Sequence, residues 1–369
     1  MVKVRDIIGA LAEVAPLSLQ ESYDNAGLQV GDGQAEANKA LICVDVTEAV
    51  VNEAIEKKCD LIVSHHPLLF KGLKHITPKT PVERIVTKAL KHDIAIVSMH
   101  TNLDNSIMGV NRILAEKIGL SALRILQPLG GRLLKVAVFC PLSAADAVRK
   151  AMFDAGAGGI GNYDSCSFNM EGRGTFKAGQ SAHPYVGEVG SLHVENEVRI
   201  ETVVPDYLLH QVVSAMLKAH PYEEVAYDVY RLENEFAMAG SGMVGEFAEP
   251  MTETDFMRHV CEVLGTPCLR HSALTGRNIK RVALCGGAGA FLLHEARRAQ
   301  ADAFLTGDLK YHEFFDPDGA LLMVDGGHFE TEQFTKELIS ALIRKKNPNF
   351  AAEICETDTN AVHYFVKNS

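Results

Sequence analysis

Two adjacent histidines, His65 and His66, stand at the end of an apolar run and are followed by Pro67. The run, residues 60–64, is short and rich in aliphatic side chains, which predicts a buried strand. Neighbouring side chains on a strand point to opposite sides, so both imidazoles cannot enter the core. Since Pro67 has no N–H to donate, strand pairing stops there. This pattern predicts a strand that presents metal ligands at the edge of a sheet.

Two further groups of histidine and carboxylate follow later strands of the predicted fold. His100 and Asp104 follow an apolar run at residues 94–99, and His328 and Glu332 follow another at residues 321–324. Taken alone, His100 or Asp104 is more often a cap or turn residue. Because His328 and Glu332 are four residues apart at a predicted helix start, they lie on one face and can share a metal ion. The convergence of several strand ends favours a metal site.

The predicted ligand set contains three imidazoles and two carboxylates: His65, His66, Asp104, His328 and Glu332. These are too many for one four-coordinate ion with an open position, but they fit two divalent ions that share a bridging carboxylate. Mixed nitrogen and oxygen ligands suit Zn, Fe, Mn or Ni, and the choice stays open. Two such ions about 3.5–4 Å apart would activate a bridging water, which is hydrolytic chemistry. Candidates for acid–base catalysis or for orienting ligands are His100, Asp308 and His312.

The elements that must position these residues alternate between strand and helix. Residues 40–99 are predicted as strand, helix, strand, helix and strand, which is typical of a parallel α/β sheet with ligands at the carboxyl ends of its strands. Thr47 and the capping box from Thr80 to Glu83 mark the two helix starts. Residues 4–14 have the spacing of an amphipathic helix. The loop at residues 21–31 is interpreted either as plain surface or as part of the site.

A different pattern occupies the middle of the chain. Residues 128–235 are predicted as βαββαβ, the ferredoxin-like order, and the α/β pattern then resumes. The predicted fold class is therefore α/β, a discontinuous domain with a mainly parallel sheet (residues 1–127 and 236–369) interrupted by a ferredoxin-like α+β domain (128–235). In the second part of the discontinuous domain, Gly286 to Ala290 are predicted as a tight turn that packs a strand closely against a helix. This interpretation is preferred to a nucleotide-binding site.

Composition limits the classes of function. With 369 residues, 47% of them hydrophobic, the chain can bury two or three cores. The longest apolar runs are too short to span a bilayer and the N-terminus carries charges, so a cytoplasmic protein with no membrane partner is expected. Eight cysteines without a C-x-x-C pair predict free thiols. A formal net charge of −11 without a basic cluster argues against a nucleic-acid partner.

Four segments together resemble the Nif-three-like dinuclear-metal-centre hexameric family, often labelled GTP cyclohydrolase I type 2 homologues. The segments are Ser64-His65-His66-Pro67, His100-Thr101-Asn102-Leu103-Asp104, Gly307-Asp308-Leu309-Lys310-Tyr311-His312 and Gly326-Gly327-His328-Phe329-Glu330-Thr331-Glu332. The resemblance implies a toroidal homohexamer with the metals facing its interior. It also implies His65 with His328 on one ion, His66 with Asp104 on the other, and Glu332 bridging. The insert resembles the middle domain of the longer bacterial members of the family, and that domain is similar to PII and CutA-like proteins. The piece that matches most closely is His220-Pro221-Tyr222-Glu223-Glu224.

Two functions from different classes follow. The first is a dinuclear metal-dependent hydrolase that acts on a nucleotide-like or phosphorylated small molecule. The family label implies hydrolytic opening of the GTP imidazole ring, although no guanine-reading signature is evident in the sequence. The second is a metal-binding regulatory or scaffold protein whose PII-like insert senses a small molecule.

Overall fold

The structure, a computed structural model, describes residues 2–366. The chain divides into two compact units. One combines Met1–Gln127 with Ala239–Ser369, and the other is Pro128–Met238. We call the first the host unit and the second the inserted unit. Among the described residues, no helix combines the length and the apolar character needed to cross a membrane.

The strands and helices alternate in the host unit and follow a separate order in the inserted unit. The strands are β1 (Val2–Lys3), β2 (Gly27–Val30), β3 (Glu36–Ala37), β4 (Lys39–Cys43), β5 (Leu61–Ser64), β6 (Ala95–Ser98), β7 (Ser121–Leu129), β8 (Leu133–Pro141), β9 (Ser167–Lys177), β10 (Leu192–Pro205), β11 (Tyr227–Leu232), β12 (Phe236–Met251), β13 (Arg270–His271), β14 (Ile279–Ala288), β15 (Ala303–Gly307), β16 (Leu322–Asp325) and β17 (Ala351–Ile354). The helices are α1 (Val4–Ala12), α2 (Glu48–Glu56), α3 (Pro81–Lys91), α4 (Thr101–Asp104), α5 (Val110–Ile118), α6 (Ala145–Asp154), α7 (Leu209–Ala219), α8 (Glu253–Leu264), α9 (Leu293–Arg298), α10 (His328–Glu332) and α11 (Thr335–Lys346).

The first large sheet of the host unit has the strand order β17-β4-β5-β6-β2. Strands β17, β4, β5 and β6 are parallel, and β2 closes the edge antiparallel to β6. Every residue of β5 and β6 is buried, as expected for parallel strands covered on both faces. Helices α2 and α3 begin as predicted: Thr47 and Thr80 accept hydrogen bonds from Val50 N and Glu83 N.

The second sheet has the order β13-β16-β15-β14-β12-β7. Its centre, β14-β15-β16, is parallel, whereas β12 and β13 are antiparallel to their neighbours β14 and β16. The host unit is thus a mixed α/β structure. Its core between this sheet and α5 and α8 includes Leu114, Phe256, Val260 and Leu305, all fully buried.

The inserted unit contains one antiparallel sheet with the order β11-β8-β10-β9. In chain order its elements are strand, helix, strand, strand, helix and strand. Alternate residues of β8 and β10, such as Val138 and Ile200, pack against Val148 of α6 and Met216 of α7. One face of the sheet therefore forms the core of this unit with the two helices.

Several local predictions were wrong. Strand β14 continues through Gly286 and Gly287 to Ala288, where a tight turn was expected. The long strands β7 and β12 were not anticipated.

Candidate metal centre

Three strand ends of the host unit bring the five predicted ligand residues together. His65 and His66 directly follow β5, and Asp104 ends the short helix α4 after β6. His328 and Glu332 are the first and last residues of α10, just beyond β16. The first two strands belong to one sheet and the third to the other. These residues therefore lie at or just beyond the carboxyl ends of parallel strands, where the ligands of such sheets are expected.

The carboxylate of Glu332 lies at the middle of the group. Its Oε2 atom is 2.9 Å from His66 Nε2 and 3.1 Å from His328 Nε2. Its Oε1 atom is 3.7 Å from His65 Nε2, and Asp104 Oδ1 is 3.6 Å from the same nitrogen. Ligand atoms of His65, His66 and Glu332 lie within 4.8 Å of one another, and these residues could hold a metal ion.

These distances favour a different pairing from the one that the family resemblance implies. His66 Nε2 and His328 Nε2 are 3.2 Å apart on the Oε2 side of Glu332, whereas His65 and Asp104 meet on its Oε1 side. The expected pairing of His65 with His328 and of His66 with Asp104 does not match this arrangement. The reason is local: α4 carries Asp104 toward His65, while α10 carries His328 toward His66.

Each imidazole is oriented through its other nitrogen. His65 Nδ1 lies 2.8 Å from the carbonyl oxygen of Met99, and His66 Nδ1 lies 2.7 Å from Asp45 Oδ1. His328 Nδ1 lies 2.8 Å from Asp308 Oδ2. With Nδ1–H donated to these oxygens, a cation that replaced the protons on Nε2 would meet the lone pairs of all three Nε2 atoms, which is the usual arrangement of histidine ligands to metals.

Buried atoms without hydrogen-bond partners show that this group fits a cation. In the described chain, His65 Nε2 and Asp104 Oδ1 are buried, have no hydrogen-bond partner and lie 3.6 Å apart, while Glu332 Oε2 is buried between His66 Nε2 and His328 Nε2. An unpartnered buried polar atom costs about 1–3 kcal/mol, and two of them meet here. His65 is fully buried and Glu332 is 3% exposed, so water has little access to these atoms. A bound divalent ion would satisfy nitrogen and oxygen donors of this kind.

The ionisation of these residues reflects burial and mutual charge. Although burial lowers the pKa of His66, hydrogen bonds to Asp45 and Glu332 outweigh it and raise that pKa to about 10. Hydrogen bonding to Glu332 similarly raises the pKa of His328 to about 9. Burial raises the pKa of Asp104 to about 7. Burial acts in the same direction on Glu332, but the neighbouring imidazoles hold its pKa well below its usual range.

Two glycines leave room for the carboxylate and the helix start. A Cβ atom on Gly287, which has a φ of +61°, would lie 2.2 Å from Glu332 Oε1. A Cβ atom on Gly307 would lie 2.9 Å from the backbone nitrogen of His328. Both distances are shorter than real side chains tolerate, so strand β14 and the end of β15 must lack side chains at these positions. The Gly-rich segment at residues 286–289 thus makes space for the centre.

The three residues predicted for catalysis or ligand orientation occupy different places. His100 lies beside the cluster, with ring centroids 5.4 and 5.5 Å from those of His65 and His66. Asp308 orients His328, as described above. His312 is exposed on a 3-10 turn, where its ring contacts Tyr311 and Phe315; within the described residues it forms no hydrogen bond to the cluster. The structure does not bring His312 into this group.

Sequence reasoning missed the acidic residues behind the histidines. Asp45 follows β4 at the same sheet edge, and the rule that located His65 would have found it. Asp24 lies in the loop that was interpreted as either plain surface or part of the site. Its Oδ1 atom is 2.8 Å from His100 Nδ1, and it also accepts a hydrogen bond from the backbone nitrogen of Thr101. This loop is therefore part of the site.

A cavity of about 540 Å³ opens beside the cluster. Its lining includes His66, His100 and His328, together with Asp45 and Phe70. The ring of Phe70 is about half exposed and meets His100 edge to face at 5.6 Å. The cavity is within the size range of small-molecule sites, so a small molecule can reach the imidazoles from this side.

The chain matches a protein-family model, and its sequence and fold are similar to those of known proteins. A model of the family described as Duf34/NIF3 (NGG1p interacting factor 3) matches residues 2–361. A protein of Bacillus subtilis (strain 168) named "GTP cyclohydrolase 1 type 2 homolog" is 40% identical over 362 residues, covering 96% of this chain and 97% of that protein. A crystal structure of a Bacillus cereus protein related to NIF3 has a TM-score of 0.88 at 38% identity and covers 99% of each chain. A Staphylococcus aureus protein structure has a TM-score of 0.78 at 30% identity, with the same coverage.

Proposed function

Because the chain belongs to the Duf34/NIF3 family and gathers imidazoles and carboxylates at one sheet edge, we propose that it is a metal-dependent hydrolase. Its substrate is a nucleotide-like or phosphorylated small molecule. The observation that carries the proposal is the buried group of ligand atoms from His65, Asp104 and Glu332, of which His65 Nε2 and Asp104 Oδ1 have no hydrogen-bond partner among the described residues. Relatives that carry the name GTP cyclohydrolase 1 type 2 homolog support GTP as the first substrate to examine.

The donor atoms support two divalent ions with Glu332 between them. His66 and His328 would hold one ion with Glu332 Oε2, and His65 and Asp104 would hold the other with Glu332 Oε1. Bound divalent ions supply Lewis acidity and lower the pKa of water. Asp45, Asp308 and the Met99 carbonyl keep the imidazoles in the tautomer that a cation requires.

His100 is the residue best placed to move a proton. Asp24 fixes its Nδ1 atom at 2.8 Å, which leaves Nε2 available to a molecule in the adjoining cavity. The side chain of Phe70 offers an aromatic face at the cavity edge, where a nucleobase could stack. His100 would therefore act as the general acid or base, and Asp24 as the residue that orients it.

We also infer a homohexameric ring and a ferredoxin-like inserted unit. Exposed aromatic side chains of the host unit, among them Phe291, Tyr311 and Phe315, support burial against another subunit. The strand order β11-β8-β10-β9, with helices after β8 and β10, supports the ferredoxin-like assignment. Light scattering during size-exclusion chromatography tests the hexamer; a monomer at all concentrations would contradict it.

The metal centre is tested by elemental analysis of protein purified without added metal. We expect about two ions per chain in the natural protein and a sharp reduction in the Glu332→Gln variant, which keeps the shape of the side chain but removes its charge. Glu337→Gln is the matched control, since Glu337 lies on the neighbouring helix α11 and, among residues 2–366, its carboxylate pairs only with Lys117. Equal metal content in the three proteins would overturn the assigned site.

Turnover is tested on protein reconstituted separately with Zn, Fe, Mn or Ni. We expect hydrolysis of GTP or of another compound in a nucleotide and phosphate-ester screen, and its loss in Glu332→Gln but not in Glu337→Gln. Full metal occupancy without turnover on any compound would reject the hydrolase. That result would favour the rival function, a metal-binding regulatory or scaffold protein.

A further inference from the structure

A second cavity lies wholly within the inserted unit and is built around the motif His220-Pro221-Tyr222-Glu223-Glu224. Its volume is about 540 Å³, which is ample for a small molecule. We call it the aromatic pocket; the residues that define it are Phe176, Tyr185, Glu197, Tyr222, Glu223 and Glu224. None of these residues belongs to the proposed metal centre, which lies in the host unit.

His220 fixes the position of the motif. It is 7% exposed, its Nε2 lies 3.0 Å from the carbonyl oxygen of Phe139, and its Nδ1 accepts a hydrogen bond from Tyr222 N at 3.1 Å. Only a neutral imidazole with the proton on Nε2 can donate to the first group and accept from the second. Burial agrees with this state, because it lowers the pKa of His220. His220 therefore holds the backbone at Tyr222 in place.

Aromatic rings line one side of the pocket. The Tyr222 ring centroid is 6.2 Å from that of Phe176, on β9, and 6.1 Å from that of Tyr185, in the segment between β9 and β10. The backbone nitrogen of His183 donates to Glu223 Oε1 at 2.8 Å, which ties this segment to the motif. The three rings are thus held around the same space by separate parts of the chain.

A carboxylate faces the rings. Glu197 Oε1 accepts a hydrogen bond from the Tyr222 hydroxyl at 3.0 Å, whereas Glu197 Oε2 forms no hydrogen bond within residues 2–366. A Cβ atom on Gly174 would lie 2.1 Å from Oε2, so the carboxylate rests against bare backbone. The pocket is therefore shaped around a carboxylate that keeps one oxygen available.

The charge of the lining selects the sign of a ligand. Three carboxylates, those of Glu197, Glu223 and Glu224, line the pocket, against the single cationic side chain of Lys177. An anion would meet net repulsion here. A cation would gain the carboxylate and the faces of the aromatic rings, which attract positive charge.

We propose that the aromatic pocket binds a small organic cation, with its ammonium or guanidinium group at Glu197 and its apolar part against Tyr185 and Tyr222. The ligand is an amine of metabolite size, since the pocket has a volume of about 540 Å³ and is lined by residues of one unit. This activity is independent of the metal centre.

Tyrosine fluorescence of the full chain measures binding, because the protein has nine tyrosines and no tryptophan. The probes are choline, agmatine, inorganic phosphate, and 3,3-dimethylbutan-1-ol, the uncharged analogue of choline. We expect saturable quenching by choline or agmatine, and none by the alcohol or by phosphate. The Glu332→Gln variant should bind the cation like the natural protein, which separates this proposal from the hydrolase.

Two variants and one control locate the site. Glu197→Gln keeps an acceptor for Tyr222 but removes the charge, and should weaken cation binding at least about tenfold. Gly174→Ala should displace the same carboxylate and have a similar effect. Glu188→Gln, which removes one exposed charge outside the pocket, should bind within twofold of the natural protein. Absence of binding by both cations would overturn the proposal, and so would binding of the uncharged alcohol as strongly as choline. It would also be overturned if Glu197→Gln and Gly174→Ala both bound the cation with the affinity of the natural protein.

Discussion

The imidazole of His66 depends on a carboxylate outside the ligand set. Asp45 lies 2.7 Å from His66 Nδ1 and also accepts a hydrogen bond from Thr359 Oγ1 at 3.3 Å. Removing the acceptor in Asp45→Ala frees the ring to rotate and to change tautomer, so we expect metal affinity to fall about 10–100-fold. Competition with a coloured chelator measures the affinity.

Thr359→Val is the matched control for this substitution. It removes the other side-chain contact of Asp45 and leaves His66 untouched. We expect its metal affinity to equal that of the natural protein. If both variants lose affinity equally, Asp45 acts through the C-terminal segment and not through the imidazole.

Gly287 gives a second test at the scale of single residues. An alanine there would combine a left-handed φ of +61° with a Cβ atom 2.2 Å from Glu332 Oε1. Gly276 has a similar φ of +74°, but a Cβ atom added to it would meet no atom of residues 2–366 within 4 Å, so Gly276→Ala isolates the backbone cost of about 1–2 kcal/mol. We expect both variants to lose that stability in chemical denaturation, and only Gly287→Ala to lose metal. Metal retention by Gly287→Ala would contradict the role given to this glycine.

At this scale, residue type and strand-end position were enough to find the residues that converge. They could not give the pairing of those residues, because it depends on the short helices α4 and α10 that turn Asp104 toward His65 and His328 toward His66. Nor could they exclude His312, whose motif neighbours lie at the site while its own side chain points to solvent.

Helix α2 is joined to the C-terminal segment by the partly buried carboxylate of Glu53. Glu53 accepts hydrogen bonds from Glu356 N at 2.8 Å, from Thr357 N at 2.9 Å and from Thr357 Oγ1 at 2.6 Å. Burial raises the pKa of Glu53, but these bonds and Lys57 outweigh it and lower that pKa to about 2. The charged form is therefore favoured by folding. Its contribution is complete above the ordinary pKa of 4.5 and is lost as the pH falls toward 2.

We expect Glu53→Gln to reduce the free energy of unfolding by about 1–3 kcal/mol at pH 7. The variant should also lose less stability than the natural protein between pH 5 and pH 2, as measured by urea denaturation at each pH. Glu56→Gln, on the exposed side of the same helix, should behave like the natural protein. Identical pH dependence in all three proteins would reject the assigned role of Glu53.

At the scale of elements, periodicity and capping residues located α2, α3 and the buried strands β4, β5 and β6 closely, because their signals are local. The strands β7 and β12 were missed because their sequences, such as the Gly- and Met-rich stretch at residues 238–245, do not alternate. Pairing with neighbouring strands overrides a weak local preference in such cases.

The two ends of the inserted segment leave and enter neighbouring strands. Strands β7 and β12 are adjacent in the second sheet, and a Cβ atom on Gly242 would lie 3.4 Å from Cβ of Leu126. Replacing residues 128–238 by a short Gly/Ser linker should therefore leave the host unit folded. We expect elemental analysis to find the metal content of the natural protein, and choline binding to be absent.

The same deletion carrying Glu332→Gln is the control and should lack metal. A folded deletion variant without metal, judged by circular dichroism, would mean that the inserted unit is required for the centre. The change from the α/β pattern to a βαββαβ order is the feature of the sequence that predicts an insertion at residues 128–235. The arrangement of subunits in the proposed ring depends on surface contacts, which the periodicity of the sequence does not describe.

The discontinuous host unit also sets an order of events during protein synthesis. His65 and His66 leave the ribosome early, but His328 and Glu332 are made only after the whole inserted segment, 262 residues after His66 in the case of His328. The inserted unit has its own core and can fold during this interval. The complete ligand set cannot exist until nine-tenths of the chain has been translated. In the proposed metalloprotein, metal loading would thus be a late step of biogenesis, and a truncated translation product that ends before α10 would lack Glu332.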